Sequence, residues 1–188
     1  MIDWLNESND PNFPSTAKAL KDPSGLLAAG GLVSPRWIDA AYRQGIFPWN
    51  DPSEVRLWWS PMPRAIITPT SFHLPKRLAR ECRNTTLRVT TQLQFKEVMK
   101  GCAAPRKEDG GTWIDREILA TYPRCANAGR ALSVECWATE GEYLGQLVGG
   151  FYGLIIGRVL FGESMFSRVS GASRIAFGLC APKLFEMG

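Results

Sequence analysis

The amino-acid sequence predicts an α+β protein, in which helices and a largely antiparallel sheet occupy different stretches of the chain. Strand-like apolar runs occur late, at residues 132–137, 143–156 and 158–166, and Gly157 is placed to turn the last two into a hairpin. Residues spaced as in amphipathic helices, some of them with capping residues, occur outside these runs. A chain of 188 residues with 45% hydrophobic content is long enough to bury a core of its own.

The N-terminal part begins with turn-forming residues, so we expect residues 1–30 to be irregular and packed onto the rest of the molecule. A helix is predicted next. Ser34 can cap free amide groups, Pro35 suits the first helical position, and Gly45 can end the helix in a left-handed conformation.

Four prolines argue against regular structure over residues 47–64, which nonetheless carry three tryptophans. This aromatic-rich loop is expected to join two units. We place the boundary near Met62, which gives a small N-terminal domain, residues 1–62, and a larger domain, residues 63–188.

The larger domain is predicted to contain both strands and helices. Its other predicted elements are strands at residues 65–68 and 87–90 and helices at residues 75–83, 93–102, 115–128 and from Gly171 onward. Pro123 and Pro182 fall inside two of these helices. Each is expected to kink its helix or end it early.

The net charge of +4 is unevenly distributed. Residues 63–130 hold 13 Lys or Arg against 6 Asp or Glu, an excess of seven positive charges, whereas the flanking stretches are nearly balanced or acidic. We therefore expect a polyanion to bind to the middle third of the chain.

The five cysteines are irregularly spaced and form no C-x-x-C pair, which favours reduced, mostly buried thiols and a cytoplasmic protein. The first twenty residues lack the apolar run of a signal peptide, and no apolar stretch is long enough for a membrane span.

Several kinds of site lack support in the sequence. His73 is the only histidine, which argues against a metal site built from several imidazoles and leaves a Ser-His-Asp triad dependent on one residue. No glycine-rich phosphate loop joins a strand to a helix. We expect no metal and no cofactor.

The helix predicted at residues 75–83 carries four cations, Lys76, Arg77, Arg80 and Arg83, which helical spacing gathers on one side. RNA contact is one interpretation, because such a row neutralises phosphates. A solvated surface is the alternative.

Two tryptophans are candidates for stacking on an unpaired base. Trp49 follows Phe-Pro in an irregular segment, and Trp113 ends the run Gly-Gly-Thr-Trp at 110–113 on a predicted loop. Burial in a core is the alternative for any tryptophan, and it is our interpretation of Trp58 and Trp59.

Glu163 is a candidate site residue because it lies in an otherwise apolar strand, where a buried carboxylate is costly without a partner. A structural salt bridge, with Arg168 for instance, is equally compatible with the spacing. The glycines at 149, 150 and 153 indicate either a bulge or close approach of another backbone or a ligand, or tight sheet packing.

Several sequence runs occur here in the same order as in leucyl/phenylalanyl-tRNA-protein transferases. The chain resembles that family over essentially its whole length. The runs that carry the resemblance are GLLA at 25–28, YRQGIFPW at 42–49, LWWSP at 57–61, GTWI at 111–114, VGGFYG at 148–153 and FGESMFSR at 161–168. The resemblance implies transfer of Leu, Phe or Met from aminoacyl-tRNA to the N-terminal Lys or Arg of proteins, which marks them for degradation in bacteria.

The resemblance also implies a fold and roles for particular residues. The fold is a small N-terminal domain plus an acetyltransferase-like (GNAT-like) mixed-sheet domain, in a chain expected to act as a monomer. By motif match, Trp49 and Trp113 hold the terminal adenosine of the tRNA, and the basic helix grips the acceptor stem. Phe151 and Leu160 belong to the pocket for the transferred side chain, and Glu163 positions the reacting groups.

The sequence also departs from the family pattern. That pattern continues into a strand bearing Asp-Cys-Gln, whereas this sequence stops at Gly188, so we expect a domain that is incomplete at its C-terminal end. Other departures are Leu32 for an Asp, Arg130 and Leu132 for histidines, Leu160 for a phenylalanine, and Pro182 within a helix. The alternative function is therefore a catalytically impaired remnant that binds tRNA or protein.

Overall fold

The computed structural model describes residues 2–105 and 112–187, and it confirms the α+β class. It divides into two compact units, Met1–Ala65 with Pro105–Arg124, and Ile66–Ala104 with Cys125–Gly188. The predicted glycine loop at 110–111 lies outside the described residues. In the described ranges, no helix combines the length and the apolar character that crossing a bilayer requires.

The first unit contains a four-stranded sheet in the order β1-β2-β4-β3. Its strands are β1 (Asp3–Leu5), β2 (Leu26–Gly30), β3 (Phe47–Pro48) and β4 (Leu57–Trp59), with β1 parallel to β2 and the other pairs antiparallel. The prediction that residues 1–30 and 47–64 lack regular structure was wrong. Pro48 is accommodated because β3 is an edge strand, where a missing N–H need not break the sheet.

Aromatic packing forms the core of this unit. The rings of Phe13, Trp37 and Trp58 contact one another at centroid distances of 4.8 to 5.9 Å. The indole N–H of Trp58 donates to the carbonyl of Gly30 at 2.9 Å, which joins the aromatic core to the end of β2. Burial of Trp58 is confirmed, and Trp59 is partly exposed.

The first helix, α1 (Pro35–Tyr42), confirms the predicted caps. The Ser34 hydroxyl accepts a hydrogen bond from the Trp37 amide at 3.4 Å, and Gly45 adopts φ = 72° just beyond the helix. Ile38, Ala41 and Tyr42 are buried, as their helical spacing predicted.

The remaining elements follow along the chain. They are α2 (Lys76–Asn84), β5 (Arg88–Thr91), α3 (Phe95–Ala103), α4 (Arg116–Asn127), β6 (Ala131–Trp137), β7 (Leu147–Ile156), β8 (Val159–Ser167) and α5 (Ala172–Met187). Each was predicted to within a few residues, and Gly157, with φ = 60°, turns β7 into β8.

The strand predicted at residues 65–68 is absent, and of the two outcomes predicted for the interior prolines, a kink or an early end, the early end does not occur. Residues 65–68 form no strand: Ile66 and Ile67 are exposed, and the backbone of Thr68 is engaged in a turn with Ser71 instead. The interior prolines do not end their helices, since α4 continues past Pro123 and α5 past Pro182.

The second unit is built on an antiparallel sheet in the order β5-β6-β7-β8, and neighbouring residues of β7 point to opposite faces. Phe151 faces α5, where its ring contacts Phe177 at 5.9 Å. Tyr152 faces α3, where its ring contacts Phe95 at 5.8 Å. The sheet therefore lies between α3 and α5.

The glycines of β7 reflect tight packing within this unit. A Cβ atom at Gly149 would lie 2.5 Å from the Cβ of Ala172, so α5 is in direct contact with the sheet. At Gly153 the close neighbour is the backbone of Phe161 on β8. Tight packing, close approach of a neighbouring backbone and a bulge beside Gly153 are thus all present at these glycines.

Candidate functional site

Trp49 lies just after β3, and the residue is 52% exposed. Its position is nonetheless fixed. The backbone N–H of Trp49 donates to Leu57 at 3.0 Å, its carbonyl accepts from the indole of Trp59 at 2.5 Å, and the two rings meet edge to face at 5.8 Å. A large apolar ring held in place and open to solvent suits stacking on a base.

Trp113 lies in the same unit, three residues before the first residue of α4, and is partly exposed. The segment around it is ordered by short-range hydrogen bonds. Thr112 Oγ1 accepts from the Ile114 amide at 3.1 Å, and Asp115 Oδ1 caps α4 by accepting from the Ile118 amide at 2.9 Å.

The four cations of the basic helix are all exposed on α2. Lys76, Arg80 and Arg83 repeat at helical spacing and lie opposite Leu78 and Cys82, which face α5 at Gly178. Arg77 differs from the other three, because its guanidinium pairs with Glu81 at 2.9 Å.

The placement of charge on α2 works against its stability. Lys76 and Arg77 occupy the first turn, where the helix dipole favours negative charge, and no side chain caps the amides there. Lys76, Arg80 and Arg83 make no ion pair with any of the residues described. An anion such as phosphate would relieve both costs.

Phe151 and Leu160 belong to one apolar cluster. Phe151 is 3% exposed and lies among Val134, Ala172 and Ala176, while Leu160 packs against the same cluster from the hairpin. Their role in a side-chain pocket stays a prediction, because both serve the core as the chain stands.

Glu163 lies at a β-bulge in β8. Ser164 pairs with Tyr152 and Gly162 pairs with Gly153, so Glu163 is the extra residue between two successive pairs. Bulges re-aim side chains, and the partly buried Glu163 is thereby set apart from the regular alternation of the strand.

The phenol beside this bulge has a perturbed pKa. Burial raises the pKa of Tyr152 well above its usual value, and the negative charge of Glu163 raises it further. Tyr152 is therefore neutral across the physiological range and can act as a hydrogen-bond donor. This residue was not singled out from the sequence.

A second buried carboxylate was missed altogether. Glu135, on β6, is fully buried, and its oxygens accept from Ser133 Oγ at 2.6 Å, Thr90 Oγ1 at 2.8 Å and the Gln94 amide at 3.2 Å. It ties β5, β6 and the start of α3 together. The criterion that selected Glu163, a charge within an apolar strand, applies equally to Glu135.

The thiols are not candidates for chemistry. All five cysteines are free and buried, as predicted, and burial raises the pKa of the Cys136 thiol to about 11. A thiol in that state is a poor nucleophile at neutral pH. In the described part of the chain, no group of three or more His, Cys, Asp or Glu side chains is arranged to hold a metal ion.

Comparison with known sequences places these residues in a family context. The sequence model for leucyl/phenylalanyl-tRNA protein transferase matches residues 66–188, and that for the N-terminal domain of the same transferase matches residues 31–62.

Curated relatives named leucyl/phenylalanyl-tRNA–protein transferase match nearly the whole chain. The protein from Saccharophagus degradans is 47% identical over 98% of this chain and 74% of its own length. That from Azoarcus sp. is 48% identical over 94% of this chain and 72% of its own length. That from Nitrosomonas europaea is 47% identical over 96% of this chain and 74% of its own length.

Proposed function

Since this chain belongs to the leucyl/phenylalanyl-tRNA-protein transferase family, we propose that it moves Leu, Phe or Met from an aminoacyl-tRNA to the N-terminal Lys or Arg of a protein. The product is a protein extended by one apolar residue and thereby marked for degradation. The buried, reduced cysteines suit a cytoplasmic location for this reaction.

The observation that carries the proposal is the row of exposed cations on α2. Cations in the first turn of an uncapped helix cost stability, so their presence is explained by a ligand that supplies negative charge. We assign Lys76, Arg77, Arg80 and Arg83 to the acceptor stem of the tRNA. The local excess of seven positive charges supports this assignment.

The end of the tRNA needs different contacts. Trp49 and Trp113 are assigned to the terminal adenosine, because aromatic rings bind unpaired bases by stacking. Phe151 and Leu160 are assigned to the apolar pocket for the transferred side chain. Such a pocket selects Leu, Phe or Met over polar residues and discriminates among apolar side chains by only about 1 to 3 kcal/mol per methylene.

The reaction requires alignment of the ester with the attacking amine more than activation of the ester, because the aminoacyl ester is already reactive. The α-amine nitrogen of the acceptor attacks the ester carbonyl carbon, an amide C–N bond forms, and the C–O bond to the adenosine ribose breaks. The amine loses a proton, and the departing ribose oxygen gains one. We assign Glu163 to positioning the amine and receiving its proton, with neutral Tyr152 beside it as a donor.

The test is a transfer assay with matched acceptors. Radiolabelled Leu or Phe should pass from charged tRNA to a peptide that begins with Arg, and should not pass to the same peptide with an acetylated N-terminus or with N-terminal Asp. Absence of transfer to every acceptor would overturn the proposal. Retention of salt-sensitive tRNA binding in that case would favour the binding-remnant alternative.

A further inference from the structure

Arg56 is a buried cation at the centre of a polar cluster in the first unit. Its side chain is 8% exposed. One guanidinium nitrogen donates to Asn50 Oδ1 at 2.7 Å, and the other forms an ion pair with Asp115 and contacts Glu117 Oε2 at 3.1 Å. The Arg56 and Asp115 side chains are both largely withdrawn from water, whereas Glu117 is 63% exposed.

The partners of Arg56 lie on two segments that are distant in sequence, and each segment carries a tryptophan. Asn50 directly follows Trp49, and Asp115 lies two residues after Trp113. Both segments belong to the same compact unit. A single guanidinium therefore joins the Trp49 segment to the Trp113 segment.

In each segment, the residue that contacts Arg56 makes a further hydrogen bond of its own. The Asn50 side-chain amide donates to the carbonyl of Asp51 at 2.6 Å, which closes the turn beyond Trp49. Asp115 uses its other oxygen to cap α4. Arg56 is thus connected, through Asn50 and Asp115, to the hydrogen bonds that order the turn after Trp49 and the start of α4 after Trp113.

Stability alone does not account for this arrangement. Buried ion pairs can often be replaced by apolar side chains with no loss of stability, because desolvation offsets the attraction. Moreover, Nε of Arg56 is buried and makes no hydrogen bond to any residue within the described ranges, which adds a further cost. The planar guanidinium holds its two partners in a fixed geometry, and an apolar side chain would not.

We propose that Arg56 is a positioning residue that holds the Trp49 and Trp113 segments in a fixed relation for binding the terminal adenosine. This inference rests on the proposed function, in which both rings contact that base. A preorganised pair of segments avoids the entropy loss of ordering them when the ligand binds. Release of either segment should weaken binding of the tRNA end without affecting contacts made by α2.

The probe is the trinucleotide CCA, which ends in adenosine, and its affinity is measured by titration calorimetry. Arg56→Met and Asp115→Asn are each expected to weaken CCA binding by about tenfold. Arg56→Lys should not restore it, because one ammonium cannot bridge both partners as the guanidinium does. Arg43→Met is the matched control, since Arg43 forms an exposed ion pair with Asp39 in the same unit, and it should leave the affinity unchanged.

A double-mutant cycle separates positioning from a general loss of structure. If Arg56 acts through the tryptophans, Arg56→Met should have little further effect once Trp49 has been changed to Ala. Additive losses would overturn the inference. Should Arg56→Met fail to fold, Asp115→Asn carries the same test, because it preserves the size and the α4 cap.

The outcomes also separate this inference from the proposed function. If Trp49→Ala and Trp113→Ala leave CCA binding unchanged, the adenosine assignment itself fails. If they weaken binding while folded Arg56→Met and Asp115→Asn bind CCA like the unmodified chain, only the role of Arg56 is overturned.

Discussion

The carboxylate of Glu163 lies close enough to the buried phenol of Tyr152 to raise the pKa of that phenol, second only to burial as a cause. The relationship depends on the bulge in β8, which places Glu163 between the residues paired with Tyr152 and Gly153. The bulge therefore brings a hydrogen-bond acceptor, the Glu163 carboxylate, close to a neutral donor, the Tyr152 phenol.

Glu163→Gln should lower the pKa of Tyr152, because a neutral amide no longer opposes formation of the phenolate. The value should stay above that of an exposed tyrosine, since burial is the larger cause. Ultraviolet titration of the phenolate, with Tyr152→Phe to identify the signal, measures the change. An unchanged pKa would show that the two groups do not interact.

The same substitution should slow aminoacyl transfer by about a hundredfold if Glu163 receives the proton of the amine. The loss should fall on kcat and not on the affinity for tRNA. Glu97→Gln is the matched control, because Glu97 is an exposed carboxylate paired with Lys100 on α3. Equal transfer rates for Glu163→Gln and the control would remove Glu163 from the mechanism.

Lys76→Ala and Arg80→Ala should each weaken tRNA binding and reduce the slope of log affinity against log salt by about one per lost phosphate contact. Lys100→Ala changes the net charge equally and should leave the slope unchanged. Binding isotherms at several salt concentrations provide the measurement. A control slope that falls as far as those of the α2 variants would mean that α2 has no particular role.

Glu135→Ala should reduce the free energy of unfolding by about 3 kcal/mol, because one buried and two partly buried hydrogen bonds lose their acceptor and a cavity opens. Glu97→Ala, on the exposed face of α3, should cost about 0.5 kcal/mol or less. Urea unfolding measures both. Equal losses would show that the network around Glu135 contributes no more than a surface pair.

The stability should fall as the pH rises from about 9 to about 11. The Cys136 thiol keeps its proton in the folded state up to about pH 11, whereas the unfolded thiol releases its proton near pH 9. The unfolded state then binds fewer protons, and the loss amounts to roughly 2 to 3 kcal/mol. Cys136→Ala should flatten the profile in that window, and a profile of unchanged slope would contradict the assignment.

Local signals in the sequence predicted much of the second unit. The hairpin at Gly157 and the capped helix after Ser34 were recognisable because their determinants lie within a few residues of one another. The sheet of the first unit was missed because its strands are only two to five residues long. They pair with strands that are distant in sequence, for example Asp3 with Ala28. Such pairs leave no periodic pattern.

The candidate site was predictable only where one residue stood out from its neighbours. Glu163 did so as a charge among apolar residues, and the same reasoning would have found Glu135. Arg56 gave no signal, because it lies in an irregular segment and its partner Asp115 is far away in sequence. Its role became visible only through the contacts that the fold creates.

The most direct test of the central claim is the mass of a peptide with N-terminal Arg after incubation with this chain and leucyl-tRNA. We expect the peptide to gain one Leu, joined through an amide to its α-amine, and Glu163→Gln to slow that gain. A peptide of unchanged mass, in a reaction where the chain is folded and binds the tRNA, would contradict the assignment of this chain as an aminoacyltransferase.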